Sequence, residues 1–396
     1  MTNTAADFHR AGNDFLDKEN FAAAAEEYKK ALALAPKSVA THFRLGLAYF
    51  SSKNFELAKQ EFQTVLSLEH THPNANQCLA NSLLELGDHE TAIHYYFRQM
   101  EKNPWFETYY NLGVLFMMKD KLQDAISYFN KAIEINPNDV ATQINLGNVY
   151  LKKNIPTEAL TYYEKANSLK PNDAEILHIL SALQQKEIPN TAPAEYITHL
   201  FDQYAPYYDL HLTKALKYDS PEKILRALQL EYPEFSELKS IILDLGCGTG
   251  LCGALFKPYA QKLIGVDLSE NMLVAAKYKQ IYDELIKDDI TRALTRFSNI
   301  DLILAADVFT YCGDLELTFK NAFTALKNKG LFIFTVEKTA EKPFILQTSI
   351  RYAHSKSYLT SLATKHHFEI VQFDNIVLRN QQNKPVEGYL VFLKKN

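Results

Sequence analysis

Small and large apolar residues recur along the first half of the chain at a fixed interval. Gly12, Gly46, Gly113 and Gly147 stand 34, 67 and 34 residues apart, and Ala80 fills the double interval. The same phase returns at Ala24, Ala58, Ala92, Ala125 and Ala159, each followed by an aromatic ring at Tyr28, Phe62, Tyr96, Phe129 and Tyr163. Small residues let two helices approach and large ones fill the space between neighbours, while Pro36, Pro104, Pro137 and Pro171 end the second helix of a unit. The pattern predicts five helical hairpins at roughly 5–38, 39–72, 73–105, 106–139 and 140–173. AEILHILSALQQK (174–186) continues the first-helix pattern without a second helix, as a capping helix does.

Beyond residue 195 the period changes. SIILDLG, KLIGVDL, ELIKDDI, IDLILAADV and GLFIFTVEK are apolar runs of strand length, and ENMLVAAKYK and DLELTFKNAFTALK are the clearest helices between them. Such alternation predicts an α/β domain with a doubly wound, mostly parallel sheet. FEIVQFDNIVLRN and PVEGYLVFLKKN are joined by a turn too short for a crossover helix, so they should close the sheet as an antiparallel hairpin. AEYITHLFDQYAPYYDLHLTKALKY and SPEKILRALQLE precede the sheet as amphipathic helices, and KEIPNTAPAE (186–195) reads as a linker. The expected domains are a helical solenoid at 1–186, a linker at 187–195 and the α/β domain at 196–396.

Composition narrows the function classes. A hydrophobic content of 47% with 13 Gly and 14 Pro suits two buried cores. The formal net charge is −5, and neither half carries the cationic excess that phosphate neutralisation demands, which disfavours nucleic acid as a partner. No apolar run approaches a bilayer span and no signal peptide is evident, so a cytoplasmic location is expected. Cys78, Cys247, Cys252 and Cys312 form no CxxC pair and no metal-ligand spacing; they read as reduced and structural, with Cys247 an alternative reactive thiol.

The chemistry concentrates in LDLGCGTG. Its glycines, Gly246, Gly248 and Gly250, imply close backbone approach to a ligand, and GxGxxG fits only after a shift to Gly248, Gly250 and Gly253. Asp244 would repel a dinucleotide diphosphate but attract the ammonium group of S-adenosylmethionine. Asp267 ends the second strand, where its two oxygens suit ribose hydroxyls, and Asp288 or Asp289 ends the third, where a carboxylate suits an adenine amine.

Together DLGCGTG, GVDLS, the KDDI acids, LAADV and LKNKGLFIF resemble the successive motifs of class I S-adenosylmethionine-dependent methyltransferases, over roughly residues 195–396. The repeats resemble tetratricopeptide repeats. The combination resembles a bacterial family of methyltransferases with N-terminal tetratricopeptide repeats, of which FDQYAPYYDLHL, RYAHS and PVEGYLV look like signatures. The resemblance implies a seven-stranded Rossmann-like sheet and the cofactor S-adenosyl-L-methionine, with S-adenosyl-L-homocysteine as product. It places Asp244, Gly246, Cys247, Gly248 and Gly250 at the methionine end, Asp267 and Leu268 at the ribose, and Met272, Asp288 or Asp289, and Ala306 around the adenosyl group.

Methyl transfer from a sulfonium is a direct displacement, so the protein chiefly aligns the acceptor and excludes water. Candidates at the reacting end are Tyr204 and Tyr208 in the aromatic segment before the sheet, Asp307 and Tyr311 after the fourth strand, and Arg351, Tyr352 and His354 after the fifth. Tyr208, Asp307 and His354 are the catalytic candidates, His354 as a general base, and Tyr204, Tyr311, Arg351 and Tyr352 would bind the acceptor. The repeats would bind a peptide or protein in a concave groove, with Asn81, Asn111, Asn145 and Asn148 as amide clamps. At this stage three other readings stand: a small-molecule methyltransferase whose repeats serve oligomerisation or localisation, a cofactor-binding scaffold without catalysis, and a nicotinamide oxidoreductase.

Overall fold

The computed structural model describes residues 3–103, 105–381 and 384–396, so Pro104 lies outside the described residues. The chain divides into two compact units, Met1–Leu169 and Lys170–Asn396. Helix Ala174–Gln184 therefore counts with the second unit, whereas the sequence reading had it close the first.

The first unit is five helical hairpins: α1 (Ala5–Asp17) with α2 (Phe21–Leu34), α3 (Val39–Ser51) with α4 (Phe55–Leu68), α5 (Ala75–Glu85) with α6 (His89–Lys102), α7 (Phe106–Met118) with α8 (Leu122–Ile135), and α9 (Val140–Lys152) with α10 (Pro156–Leu169). The periodic glycines serve the packing inside each hairpin. A Cβ at Gly12, Gly46, Gly113 or Gly147 would come within 2.5–2.6 Å of the ring at Tyr28, Phe62, Phe129 or Tyr163, so the absent side chain is what lets each aromatic ring cross its partner helix. Those rings are completely buried.

Burial of a tyrosine ring leaves a hydroxyl to satisfy, and the sequence answers repeat by repeat. Tyr28 donates to Asn13 at 2.7 Å, Tyr96 to Asn81 at 2.7 Å and Tyr163 to Asn148 at 2.6 Å. Where the ring is Phe62 or Phe129, the residue equivalent to those asparagines is Leu47 or Val114. Asn111 donates to Asn81 and to the Tyr96 hydroxyl, and Asn145 donates to the Tyr110 hydroxyl. The four asparagines expected to clamp a peptide backbone are thus engaged within the unit.

In the second unit the strands β1 (Ser240–Leu245), β2 (Ala260–Asp267), β3 (Glu284–Lys287), β4 (Ile300–Ala305) and β5 (Leu326–Thr339) run parallel in the order β3-β2-β1-β4-β5. A short hairpin of β6 (Phe344–Leu346) and β7 (Tyr352–Ser355) extends the end of β5. The long antiparallel hairpin β8 (Phe368–Gln381) and β9 (Lys384–Lys395) closes the sheet, with β9 against residues 331–337 of β5. Two apolar layers cover the faces: one holds Leu243, Val266, Ile303, Phe332 and Phe334, the other Ile242, Leu263, Leu302, Ile333 and Phe392. Neighbouring residues of each strand enter opposite layers, as a sheet covered on both sides requires.

Candidate active site

β1 ends at Leu245, and the loop that follows turns through three glycines of positive φ, at 61°, 53° and 91° for Gly246, Gly248 and Gly250. This left-handed region strains any residue with a Cβ. A Cβ at Gly246 would also meet Val308 at 2.6 Å. The loop is tied to β2: the Cys247 amide donates to Val266 O at 2.9 Å and the Gly248 amide to Asp267 Oδ2 at 2.8 Å. Asp267 Oδ1 accepts from the Ser269 amide at 2.9 Å, and burial raises the carboxyl pKa in spite of these donors.

The Asp244 side chain turns into the sheet. It is buried, and Tyr282 donates to its Oδ2 at 2.6 Å. Burial pushes the carboxyl up to about 7, against the pull of the Tyr282 hydroxyl. The Tyr282 ring occupies the space that Cβ atoms at Gly250, Gly253 and Gly265 would take, so these glycines make room for one aromatic plug under the loop.

The two adjacent acids after β3 separate. Asp288 is engaged by Arg292 and Arg296, which hold its carboxyl below the usual range. Asp289 caps the following helix, Ile290–Leu294, accepting from the Thr291 and Arg292 amides at 2.9 and 3.1 Å.

The segment before the sheet straps across these strand ends. The helix Ala194–Tyr204 leads through a 3-10 turn (Ala205–Tyr207) to a π turn (His211–Ala215), a form often found at functional sites. Asp202 accepts from Ser269 Oγ at 2.5 Å, and Asp209 accepts from Thr249 and from Lys279 Nζ, the latter at 2.6 Å. Phe201 meets Tyr311 and Tyr208 edge-on with ring centroids 5.3 and 6.1 Å away, and Tyr208 lies over Gly248. The expected linker is part of the same wall: the Ala192 amide donates to Tyr311 O at 3.0 Å, and the Gly313 amide to Asn190 O at 2.8 Å.

Between strap and strand ends lies a cleft of about 260 Å³. Of the sequence candidates it brings together Tyr208, Gly246, Gly248, Asp267, Leu268, Asp289, Ala306, Asp307 and Tyr311. Sequence reasoning missed Thr191–Ala194, Ile197, Phe201, Ile290, Val308 and Cys312 in its walls. Prolines and small residues made the 190s read as a linker, and no local pattern announces that they pair with the segment after β4.

The remaining candidates lie elsewhere. Met272 is buried in the helix Glu270–Tyr278, so Leu268 and Ile290 form the apolar wall expected of it. Cys247 is buried beneath the loop, and burial pushes its thiol well up, against a reactive role. Gly250 caps the next helix, Tyr204 packs on Tyr208 and bonds His211, and Tyr352 is buried with its hydroxyl on Pro189 O at 2.8 Å. His354 is completely buried, its Nε2–H donating to Gly313 O at 2.9 Å, and burial lowers its pKa to about 4. A histidine that stays neutral and faces away from the cleft is no general base for it; His354 holds the Gly313 turn.

Asp307 lines the cleft at φ 60°, strained for a residue with a side chain. Behind it Arg379, buried on β8, donates to both Asp307 oxygens at 2.8 and 2.9 Å and to Glu337 of β5. Neither Arg379 nor Glu337 was a sequence candidate, because β8 and β5 showed only their strand patterns.

Comparison with known proteins agrees with this division. A methyltransferase-domain family model matches residues 243–334, and tetratricopeptide-repeat models match 12–53, 39–72, 106–139 and 128–161. A protein of Geobacillus sp. (strain WCH70) named as a methyltransferase is 30% identical over 158 residues, 38% of this chain and 62% of the relative. One of Saccharomyces cerevisiae, named as an S-adenosylmethionine-dependent methyltransferase, is 26% identical over 142 residues, 33% of this chain and 48% of its own. The chain thus spans about half to three fifths of the length of these relatives. A crystal structure of the MamA protein is 25% identical, covers 43% of this chain and 93% of its own, and has a TM-score of 0.41. The fold and the matches define a protein of two parts. It carries tetratricopeptide repeats followed by a Rossmann-like methyltransferase domain.

Proposed function

We propose that the second unit transfers a methyl group from S-adenosyl-L-methionine to an acceptor, leaving S-adenosyl-L-homocysteine, and that the repeats recruit the peptide or protein that carries the acceptor. The observation that carries this reading is the charge of the cleft. Three carboxylates line it, Asp267, Asp289 and Asp307, and no Lys, Arg or His is among the described lining residues; Asp307 is paired with Arg379 from behind, so Asp267 and Asp289 set the charge of the cofactor end. Such a site repels a dinucleotide diphosphate and favours a ligand with a sulfonium and an ammonium group.

The residues fit that cofactor. Gly246 and Gly248 bring backbone to the cleft wall, Asp267 suits the ribose hydroxyls and Asp289 the adenine amine, with Leu268 and Ile290 as the apolar wall. When bound, the cofactor would supply an electrophilic methyl group. Phe201, Tyr208 and Tyr311 present ring faces and edges to the reacting end, which exclude water and favour a cationic centre. Asp307, fixed by Arg379, orients a donor on the acceptor.

The test is transfer of a tritiated methyl group from S-adenosylmethionine, by the full chain, to a cell lysate separated into protein, nucleic acid and small-molecule fractions. Label in the protein fraction supports recruitment by the repeats. Label confined to small molecules gives the repeats another role, and label in no fraction overturns the transfer.

A further inference from the structure

At the carboxyl ends of β4 and β5, behind Asp307 and Tyr311, two arginines meet two carboxylates. Arg379 takes the carboxylates: both oxygens of Asp307 and Oε1 of Glu337. The other oxygen of Glu337 accepts from Gln347 Nε2 at 2.8 Å. Arg351 is left with less. Its Nη1 stands 4.0 Å from Glu337 Oε1, beyond hydrogen-bond reach, and bonds the neutral Gln381 Oε1 at 3.2 Å. Its side chain is 25% exposed, and it adjoins the phenol of Tyr311, which lines the cleft.

The backbone around Arg351 is built with effort. In the turn before it the Ile350 amide donates to Gln347 O at 2.8 Å and the Gln347 amide to Arg351 O at 2.9 Å. Ile350 holds φ 62°, a conformation that a β-branched residue adopts only under constraint. Asp307, across the cluster, is strained in the same sense. Two strained residues flank a guanidinium that bonds only neutral partners and whose nearest carboxylate, on Glu337, stands 4.0 Å away; strain of this kind gathers at functional sites, and the arrangement leaves the fork room for an anion.

We infer that Arg351 with Tyr311 forms the acceptor subsite, and that the acceptor is recognised through a carboxylate. The guanidinium offers a planar fork that matches a carboxylate, and Phe201, Ile197 and Tyr311 offer an apolar surface for the body attached to it. The inference rests on the methyltransferase reading and assigns it a substrate class; the carboxylate can belong to a small acid or to a peptide.

The test uses the full chain saturated with S-adenosylhomocysteine and four probes followed by calorimetry. These are phenylacetate, phenylacetamide, acetyl-Gly-Phe with a free carboxylate, and the same dipeptide amidated. One acid should bind about tenfold more tightly than its amide, and which one tells the source of the carboxylate. Arg351→Gln should erase that preference and Arg351→Lys reduce it, while S-adenosylhomocysteine affinity and the thermal transition hold. Equal binding of acids and amides by the wild type, which needs no variant to fold, overturns the inference, as does a preference kept in Arg351→Gln. Absence of S-adenosylhomocysteine binding is a different result and counts against the methyltransferase reading itself.

Discussion

The Tyr96 hydroxyl donates to Asn81 Oδ1 at 2.7 Å, and this pairing recurs wherever a repeat carries tyrosine at that position and vanishes where it carries phenylalanine. The two positions act as one unit, because a buried hydroxyl without a partner costs more than the bond contributes. Asn81→Leu should therefore destabilise the first unit by about 1–3 kcal/mol. The double variant Asn81→Leu with Tyr96→Phe should recover part of the loss, since it copies the Leu47–Phe62 pair of the second repeat but removes both acceptors of the Asn111 amide. Urea unfolding of the four proteins in the cycle measures the coupling, and simple additivity would refute it.

A second expectation concerns the plug under the glycine loop. Tyr282 donates to Asp244, whose folded pKa of about 7 lies above the ordinary aspartate value of about 4. The folded state holds that proton more tightly, so this group's contribution to stability is present below pH 4 and is lost as pH rises through 7. Tyr282→Phe removes the donor that helps the ionised form. Its cost should be greater at pH 8 than at pH 5, by about 1 kcal/mol; a pH-independent cost contradicts the pairing.

His354 has the opposite sign. Its folded pKa of about 4 lies below the unfolded value of 6.5, so the unfolded chain binds the extra proton and stability falls as pH drops from 6.5 toward 4. His354→Gln keeps a donor for Gly313 O and does not titrate. Relative to wild type it should gain about 1–2 kcal/mol between pH 7 and pH 5 in denaturant titrations. If the two proteins stay parallel across that range, the histidine is not buried neutral.

Arg379 is held between Asp307 and Glu337, away from water. Arg379→Leu leaves two acids without a counter-charge and should cost about 3–5 kcal/mol. Combining it with Glu337→Leu should restore part of that. A full cost in the double variant, read from thermal or urea transitions, would place the penalty on cavity formation and not on charge.

The repeats and the parallel sheet were legible because periodicity is a local signal: glycine, alanine and aromatic residues every 34 positions, and apolar runs closed by acids. The position of Gly246, Gly248, Asp267, Asp289, Asp307 and Tyr311 in the cleft wall was legible for a related reason, since strand ends mark where a cleft opens in such sheets. What failed was direction. Asp244, Met272, Tyr352 and His354 belong to the right segments, but which way a side chain points depends on partners distant in sequence, here Tyr282 for Asp244 and Pro189 for Tyr352. The wall at Asn190–Ala194 was invisible for the same reason: its bonds are to Tyr311 and Gly313, more than a hundred residues on.

The ligand of the acidic cleft decides most directly whether the second unit is a methyltransferase, and one titration measures it. Full-length protein titrated with S-adenosylhomocysteine and, separately, with NAD should bind the first and not the second. Asp267→Ala should weaken the first at least about tenfold, since it removes the carboxylate proposed for the ribose hydroxyls. Binding of NAD in place of S-adenosylhomocysteine, or unchanged affinity in Asp267→Ala, would contradict the account.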